Sequence, residues 1–225
     1  MVFSKEWDKQ YKSNKHLSIW PWTDLVALIM RYCKSHIGEE GKVLELGCGA
    51  GANIPFFLNL EVDYFGVDGS RTIIQMLHEK YPELREHLIE CDFTQHIPFQ
   101  EKFDLVIDRA GLTCNNTDDI INTIKKVKQI MRDGGRLVGV DWYSTKHTEY
   151  EWGQPIDDGY TRLFTEDRCE FKNVGKAHFF TKEHLLDILS DFEIIHLNHK
   201  TNTHYITKPD GYQSCSWDFV AEIKK

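Results

Sequence analysis

Residues 43–57 read VLELGCGAGANIPFF, an apolar run that gives way to glycine at alternate positions, Gly47, Gly49 and Gly51. Glycine loses more backbone freedom on folding than any other residue. Three so close together therefore mark a path or a close approach that a Cβ would block. The stretch predicts a buried strand through Val43, Leu44 and Leu46, then a tight turn with something lying against it.

Outward from that turn, short β-branched and aromatic runs alternate with helical patterns, the signature of a parallel sheet with crossover helices. The predicted strands are residues 42–46, 64–68, 87–91, 104–108, 136–141, 193–199 and 216–223. Helices are expected over 23–36, over 70–80 with Ser70 as N-cap, and over 117–132, where Ile120, Ile124 and Val127 share a stripe that stops at Gly134-Gly135. The last two strands have only a loop between them and should pair as an antiparallel hairpin. Residues 143–180, aromatic and charged, form a long irregular insertion of the kind that shapes a binding site.

Composition narrows the function. The formal charge is −8, and no block of Lys and Arg is long enough to outweigh it, which disfavours a nucleic-acid partner. No apolar stretch is long enough to cross a membrane, and the start MVFSKEWDKQ has neither a signal core nor a transit pattern, so a cytoplasmic protein without membrane attachment is expected. The six cysteines contain no CxxC pair, giving neither a zinc knuckle nor a disulfide framework. His196 and His199 would point to opposite faces of one strand, so no metal site is expected there.

A glycine turn leaving the first strand aims backbone N–H groups at the mouth of an open α/β sheet, where ligands bind. GCGAGA also satisfies the dinucleotide pattern G-x-G-x-x-G/A, which on its own suits an NAD-dependent oxidoreductase. Glu45, two residues before the first glycine, argues otherwise: a carboxylate repels a pyrophosphate and attracts an ammonium group. VLELGCGAG resembles the first motif, (V/I)-L-(D/E)-x-G-x-G-x-G, of the class I S-adenosylmethionine-dependent methyltransferases. YFGVDGS, IECDF, FDLVIDRAG and MRDGGRLVG continue the resemblance over residues 40–142.

The resemblance implies a Rossmann-like α/β three-layer sandwich, whose seven-stranded, mostly parallel sheet ends in an antiparallel C-terminal strand. One methyltransferase domain would span the chain, with residues 1–40 as an N-terminal cover. It implies S-adenosylmethionine as cofactor, with S-adenosylhomocysteine as product. Glu45, Gly47, Cys48, Gly49, Gly51 and Asn53 would surround its methionine part, Asp68, Gly69 and Ser70 its ribose, and Asp92 and Phe93 its adenine. Asp68 and Asp92 also have local readings, as a helix cap and a turn residue.

For the methyl acceptor, a small and possibly sugar-like polar molecule methylated at O, N or S is expected. Asp108 would orient the cofactor or take a proton, and Arg109 would hold an anionic acceptor. Trp142, Tyr143 and Trp152 would line the acceptor side, with His178 as a second candidate base. Trp20 and Trp22, flanking Pro21, would cover the cofactor. A protein that keeps the cofactor pocket without catalysis is the remaining alternative. Oligomeric state is not legible.

Overall fold

The computed structural model describes residues 5–38, 40–156 and 158–224. Residues 1–4 and 39 of the expected N-terminal cover, and 157 of the insertion, lie outside the described residues. Seven strands form the main sheet in the order β3-β2-β1-β4-β5-β10-β9. These are β1 (Lys42–Leu46), β2 (Asp63–Asp68), β3 (Leu88–Glu90), β4 (Phe103–Arg109), β5 (Met131–Tyr143), β9 (Phe192–Thr203) and β10 (Gln213–Ile223). β1 to β5 run parallel, and β10 pairs antiparallel with both β5 and β9, as the short connection requires. The expected mostly parallel sheet with an antiparallel C-terminal strand is present.

Buried residues fill both faces of the sheet. Leu44, Phe65, Val106 and Trp142 pack on one side with Ile120, Ile124 and Val127 of α5 (Thr117–Ile130) and with α6 (Lys182–Ile188). Val43, Tyr64, Leu105 and Val138 pack on the other with α2 (Thr23–Leu28), α3 (Ile54–Asn59) and α4 (Arg71–Lys80). The expected cap forms at Ser70, which accepts the Ile73 N–H, and Asn116 caps α5 by accepting the Asp119 N–H. The helix expected over 23–36 relaxes after Leu28 into a π turn, Ile29–Cys33, and a 3₁₀ turn, Lys34–His36.

Three α-helices were not expected. α1 (Lys5–Lys12) precedes the first expected helix, α3 follows the glycine loop at once, and α6 leads into β9. The insertion is not irregular: β6 (Gln154–Ile156), β7 (Thr161–Leu163) and β8 (Lys176–His178) form a small antiparallel sheet around Phe164, Phe171 and Phe179. No helix among the described residues is long and apolar enough to cross a membrane. Nor do the described residues contain a group of three His, Cys, Asp or Glu that could hold a metal ion. His196 stacks on Tyr32 while His199 meets Ser144 and Trp217, separate surroundings for the two histidines.

Candidate active site

β1 lies at the switch point of the sheet, where the chain order runs away to both sides, and its carboxyl end opens into a cavity of about 680 Å³. Gly47, Gly49 and Gly51 all take positive φ, at 66°, 49° and 73°. Each meets a different neighbour. A Cβ on Gly47 would lie 3.4 Å from the Gly111 Cα, and one on Gly49 would lie 3.4 Å from the Tyr11 hydroxyl. A Cβ on Gly51 would drive into Leu77 and Ile54 at 2.7 and 2.8 Å. Gly47 and Gly49 line the cavity, whereas Gly51 serves the packing of α3 and α4 beneath it.

Glu45 is buried on the wall of this cavity, accepting from Asn53 Nδ2 at 2.7 Å and from the Tyr64 hydroxyl at 2.5 Å. Burial outweighs those bonds and pushes its carboxyl up to about 7. At the end of β2, Asp68 accepts the Gly49 N–H at 3.0 Å and the Ser70 N–H at 2.8 Å, and burial pushes it up to about 6. A buried carboxylate held so far above its ordinary value gains from any ligand that brings positive charge or hydroxyl donors. Asp92 and Phe93 complete this end. Asp92 Oδ1 accepts both the Thr94 N–H and hydroxyl, so it forms the turn and lines the cavity at once. Phe93 likewise belongs to the core cluster and the wall.

The N-terminal segment supplies another wall. Glu6, Trp7 and Tyr11 of α1, then His16, Ser18 and Trp22, all face the cavity. Asp8 anchors α1 by accepting from the Ser70 hydroxyl at 2.7 Å, so one serine both caps α4 and fastens the cover. The Trp22 N–H donates to Asn53 Oδ1 at 3.3 Å. Its ring lies 3.5 Å under the Arg109 guanidinium, which also reaches Asp141 at 2.9 Å. Ile156, Leu163, Gly175 and Lys176 of the insertion and Tyr143 of β5 line the rest.

Of the residues expected at the site, Glu45, Gly47, Cys48, Gly49, Asn53, Asp68, Gly69, Asp92, Phe93, Arg109 and Tyr143 line this cavity. Several others do not. Trp20 is 78% exposed and turned to solvent, and Trp22 takes the covering position instead. Ser70 sits behind Asp68 as cap and anchor. Asp108 is fully buried beneath the wall, accepting from the Leu112 N–H and the Trp142 indole, and burial raises it to about 7. It shapes the turn after β4 and is out of reach as a base. Trp142 is itself core, packed on Phe180 and Phe219. Trp152 packs on Tyr212 under Arg168, outside the cavity.

His178 fails as a base for a definable reason. It is fully buried, its Nδ1 lies 2.9 Å from the Thr161 hydroxyl and its Nε2 lies 3.0 Å from His184 Nε2. Burial pushes it down to about 3, so it is neutral across the working pH range and touches no cavity. The Thr161 hydroxyl reaches Asp158, itself held to the start of α5 by Thr117, and His178 meets His184 of α6, so the cluster fastens the insertion to those two helices. His178→Ala is expected to lower stability by about 1–3 kcal/mol through buried groups left unpaired, without reshaping the pH profile of turnover. Thermal melts beside rates from pH 6 to 9 check both halves.

Residues 43–135 match the family model of a methyltransferase domain. Over those residues the chain is similar to a methyltransferase domain. S-adenosylmethionine is the cofactor of that family, as the motifs implied. No curated protein matches the chain in sequence. Among solved structures, a methyltransferase from Methanosarcina mazei is similar at 18% identity and a TM-score of 0.69, covering 91% of this chain and 98% of that one. TehB from Haemophilus influenzae shows 19% identity and a TM-score of 0.63 over 96% of this chain and 67% of its own. The S-adenosylmethionine-bound amino pentose methyltransferase CalS10 from Micromonospora echinaspora shows 16% and 0.60, over 100% and 98%. At these identities the likeness is one of fold. The methyltransferase domain's matched residues include the glycine loop and the ends of β2, β3 and β4, the parts expected to meet the cofactor.

Proposed function

We propose that this methyltransferase domain transfers the methyl group of S-adenosylmethionine to a small-molecule acceptor at O, N or S. The observation that carries the reading is one cavity with a glycine loop and two burial-raised carboxyls at one end, and the N-terminal cover and the insertion around the other. Residues fit the cofactor part by part. The Gly47 and Gly49 backbone gives close approach, Glu45 with Asn53 suits the ammonium, and Asp68 suits the ribose hydroxyls. Asp92 and Phe93 suit the adenine.

The cofactor supplies an activated methyl on a sulfonium, so the chain's own work is positioning and exclusion of water. Trp7, Tyr11 and Trp22 keep water from the glycine loop. Arg109 and Tyr143, at the carboxyl ends of β4 and β5, orient the acceptor. The likeness to CalS10, an amino pentose methyltransferase, is compatible with a small acceptor. Walls contributed by both the cover and the insertion suit an enclosed molecule better than a polymer lying across the surface. The soluble, cytoplasmic setting expected from the sequence belongs to the same reading.

Titration calorimetry tests it. S-adenosylhomocysteine is expected to bind at micromolar concentration or below while NAD leaves no heat. NAD binding with no response to S-adenosylhomocysteine would overturn the assignment. Methyl transfer to an acceptor panel then separates an enzyme from a cofactor-binding module.

A further inference from the structure

We propose that Asp141, which does not line the cavity, is the positioning residue that holds the N-terminal cover over the cofactor, gripping residues 22 and 24 through Arg109 and Lys200; the inference rests on the methyl-transfer reading above. Its backbone is the first sign. Near the carboxyl end of β5, Trp142 pairs with Trp217 and Gly139 with Phe219, so Val140 and Asp141 together face the single residue Asp218 of β10. In this bulge Asp141 takes a φ of 57° and donates its N–H to the Asp218 side chain at 2.9 Å. A bulge re-aims a side chain, and a left-handed residue other than glycine persists only where its surroundings over-determine it.

The re-aimed carboxylate bridges two cations. Asp141 Oδ2 takes Arg109 Nη2 at 2.9 Å, and its Oδ1 takes Lys200 Nζ at 2.7 Å. Lys200 also reaches Asp24 at 2.7 Å and Asp218 at 3.0 Å, while the Arg109 guanidinium lies 3.5 Å over the Trp22 ring. The two cations thus meet on one carboxylate and diverge to Trp22 and Asp24, two residues apart, where the cover enters α2. Burial works against the charge on Asp141, yet the Lys200 bond and the Arg109 charge hold its carboxyl below the ordinary value, so the bridge is ionised at neutral pH. Trp22 carries the restraint inward. Its N–H donates to Asn53 Oδ1, and Asn53 Nδ2 donates to Glu45 at 2.7 Å, so the contacts run from a carboxylate outside the cavity to one on its wall.

A double-mutant cycle tests the link, with S-adenosylhomocysteine as the probe and its dissociation rate read by surface plasmon resonance on the immobilised full chain. Asp141→Asn keeps the volume and tolerates the left-handed backbone while removing the charge. Asp24 and Asp218 still hold Lys200 in that variant, so the change chiefly frees Arg109. Dissociation is expected to be about three- to tenfold faster, the scale of a cation–π stack, with the association rate unchanged. Trp22→Leu should itself speed dissociation, and in that background Asp141→Asn should add nothing. A residue that only braced the bulge would lower the melting temperature in both backgrounds and leave the dissociation rate alone. An unchanged dissociation rate in Asp141→Asn, or the same acceleration with and without Trp22, would overturn the proposal. Asp141→Gly, which accepts that φ without strain and removes the carboxylate entirely, takes the same place in the cycle if Asp141→Asn folds poorly. Failure of S-adenosylhomocysteine to bind the wild type would instead remove the methyl-transfer reading itself.

Discussion

Asp68→Ala is expected to raise the dissociation constant for S-adenosylhomocysteine by about ten- to hundredfold, the loss of hydrogen bonds from ligand hydroxyls to a charged acceptor. The carboxylate is buried, lines the cavity, and is oriented by the N–H groups of Gly49 and Ser70. Truncation leaves those two donors unpaired, so a modest fall in melting temperature accompanies the loss of affinity. Asp68→Asn separates the two effects, since it keeps the volume and one acceptor oxygen while removing the charge.

The same residue gives the binding a pH dependence whose sign is fixed. Burial holds the Asp68 carboxyl at about 6 in the free protein, above its ordinary value, so ionising it costs the free fold stability as pH rises from near 4 through 6. A ligand whose hydroxyls donate to the carboxylate binds the ionised form and recovers that loss. Affinity should therefore fall as pH drops below 6, and Glu45, at about 7, adds a second step for the ammonium group. The melting shift given by S-adenosylhomocysteine should be larger at pH 7.5 than at pH 5.5. An equal shift at both, in wild type and Asp68→Asn alike, would remove Asp68 from the ribose site.

The glycine-loop end of the cavity was legible because its signals are local. A glycine at positive φ, an acid at a strand end and a capping serine are constraints of the backbone, and each is written within a few residues of the group it serves. The rest of the cavity wall is assembled from segments far apart in the chain, and residue type alone misled there. Trp142, Trp152 and His178 are chemically suitable, but their positions in the fold bury the first and third and turn the second onto Tyr212. The short strands of the insertion, one of them containing Pro155, carry too little alternation to be read as a sheet. α1 did leave a signal. Trp7 and Tyr11 are four residues apart in KEWDKQYK and so share a helical face, and both face the cavity. Between Trp20 and Trp22 nothing in the composition chooses; the Trp22 N–H bond to Asn53 and the Arg109 stack do.

Gly49→Val and Gly51→Val should fail in different ways, and the difference tests what the glycine loop is for. At Gly51 a Cβ meets Leu77 and Ile54 below 3 Å with φ at 73°, so overpacking adds to left-handed strain, about 1–3 and 1–2 kcal/mol respectively. That variant is expected to lose much of its stability, with affinity persisting in whatever stays folded. At Gly49 the nearest atom to a Cβ is the Tyr11 hydroxyl at 3.4 Å, ordinary van der Waals contact on the cavity wall, and the backbone strain is of the same order. Valine there fills the approach with a branched side chain rather than crushing the core. A folded protein of lowered melting temperature with no measurable affinity for S-adenosylhomocysteine is the expected result. One thermal titration of both variants reads stability and affinity together. If Gly49→Val melts lower yet still gains the full ligand shift, the alternate glycines serve only the turn, and the cofactor must enter the cavity from the side of Arg109 and the insertion.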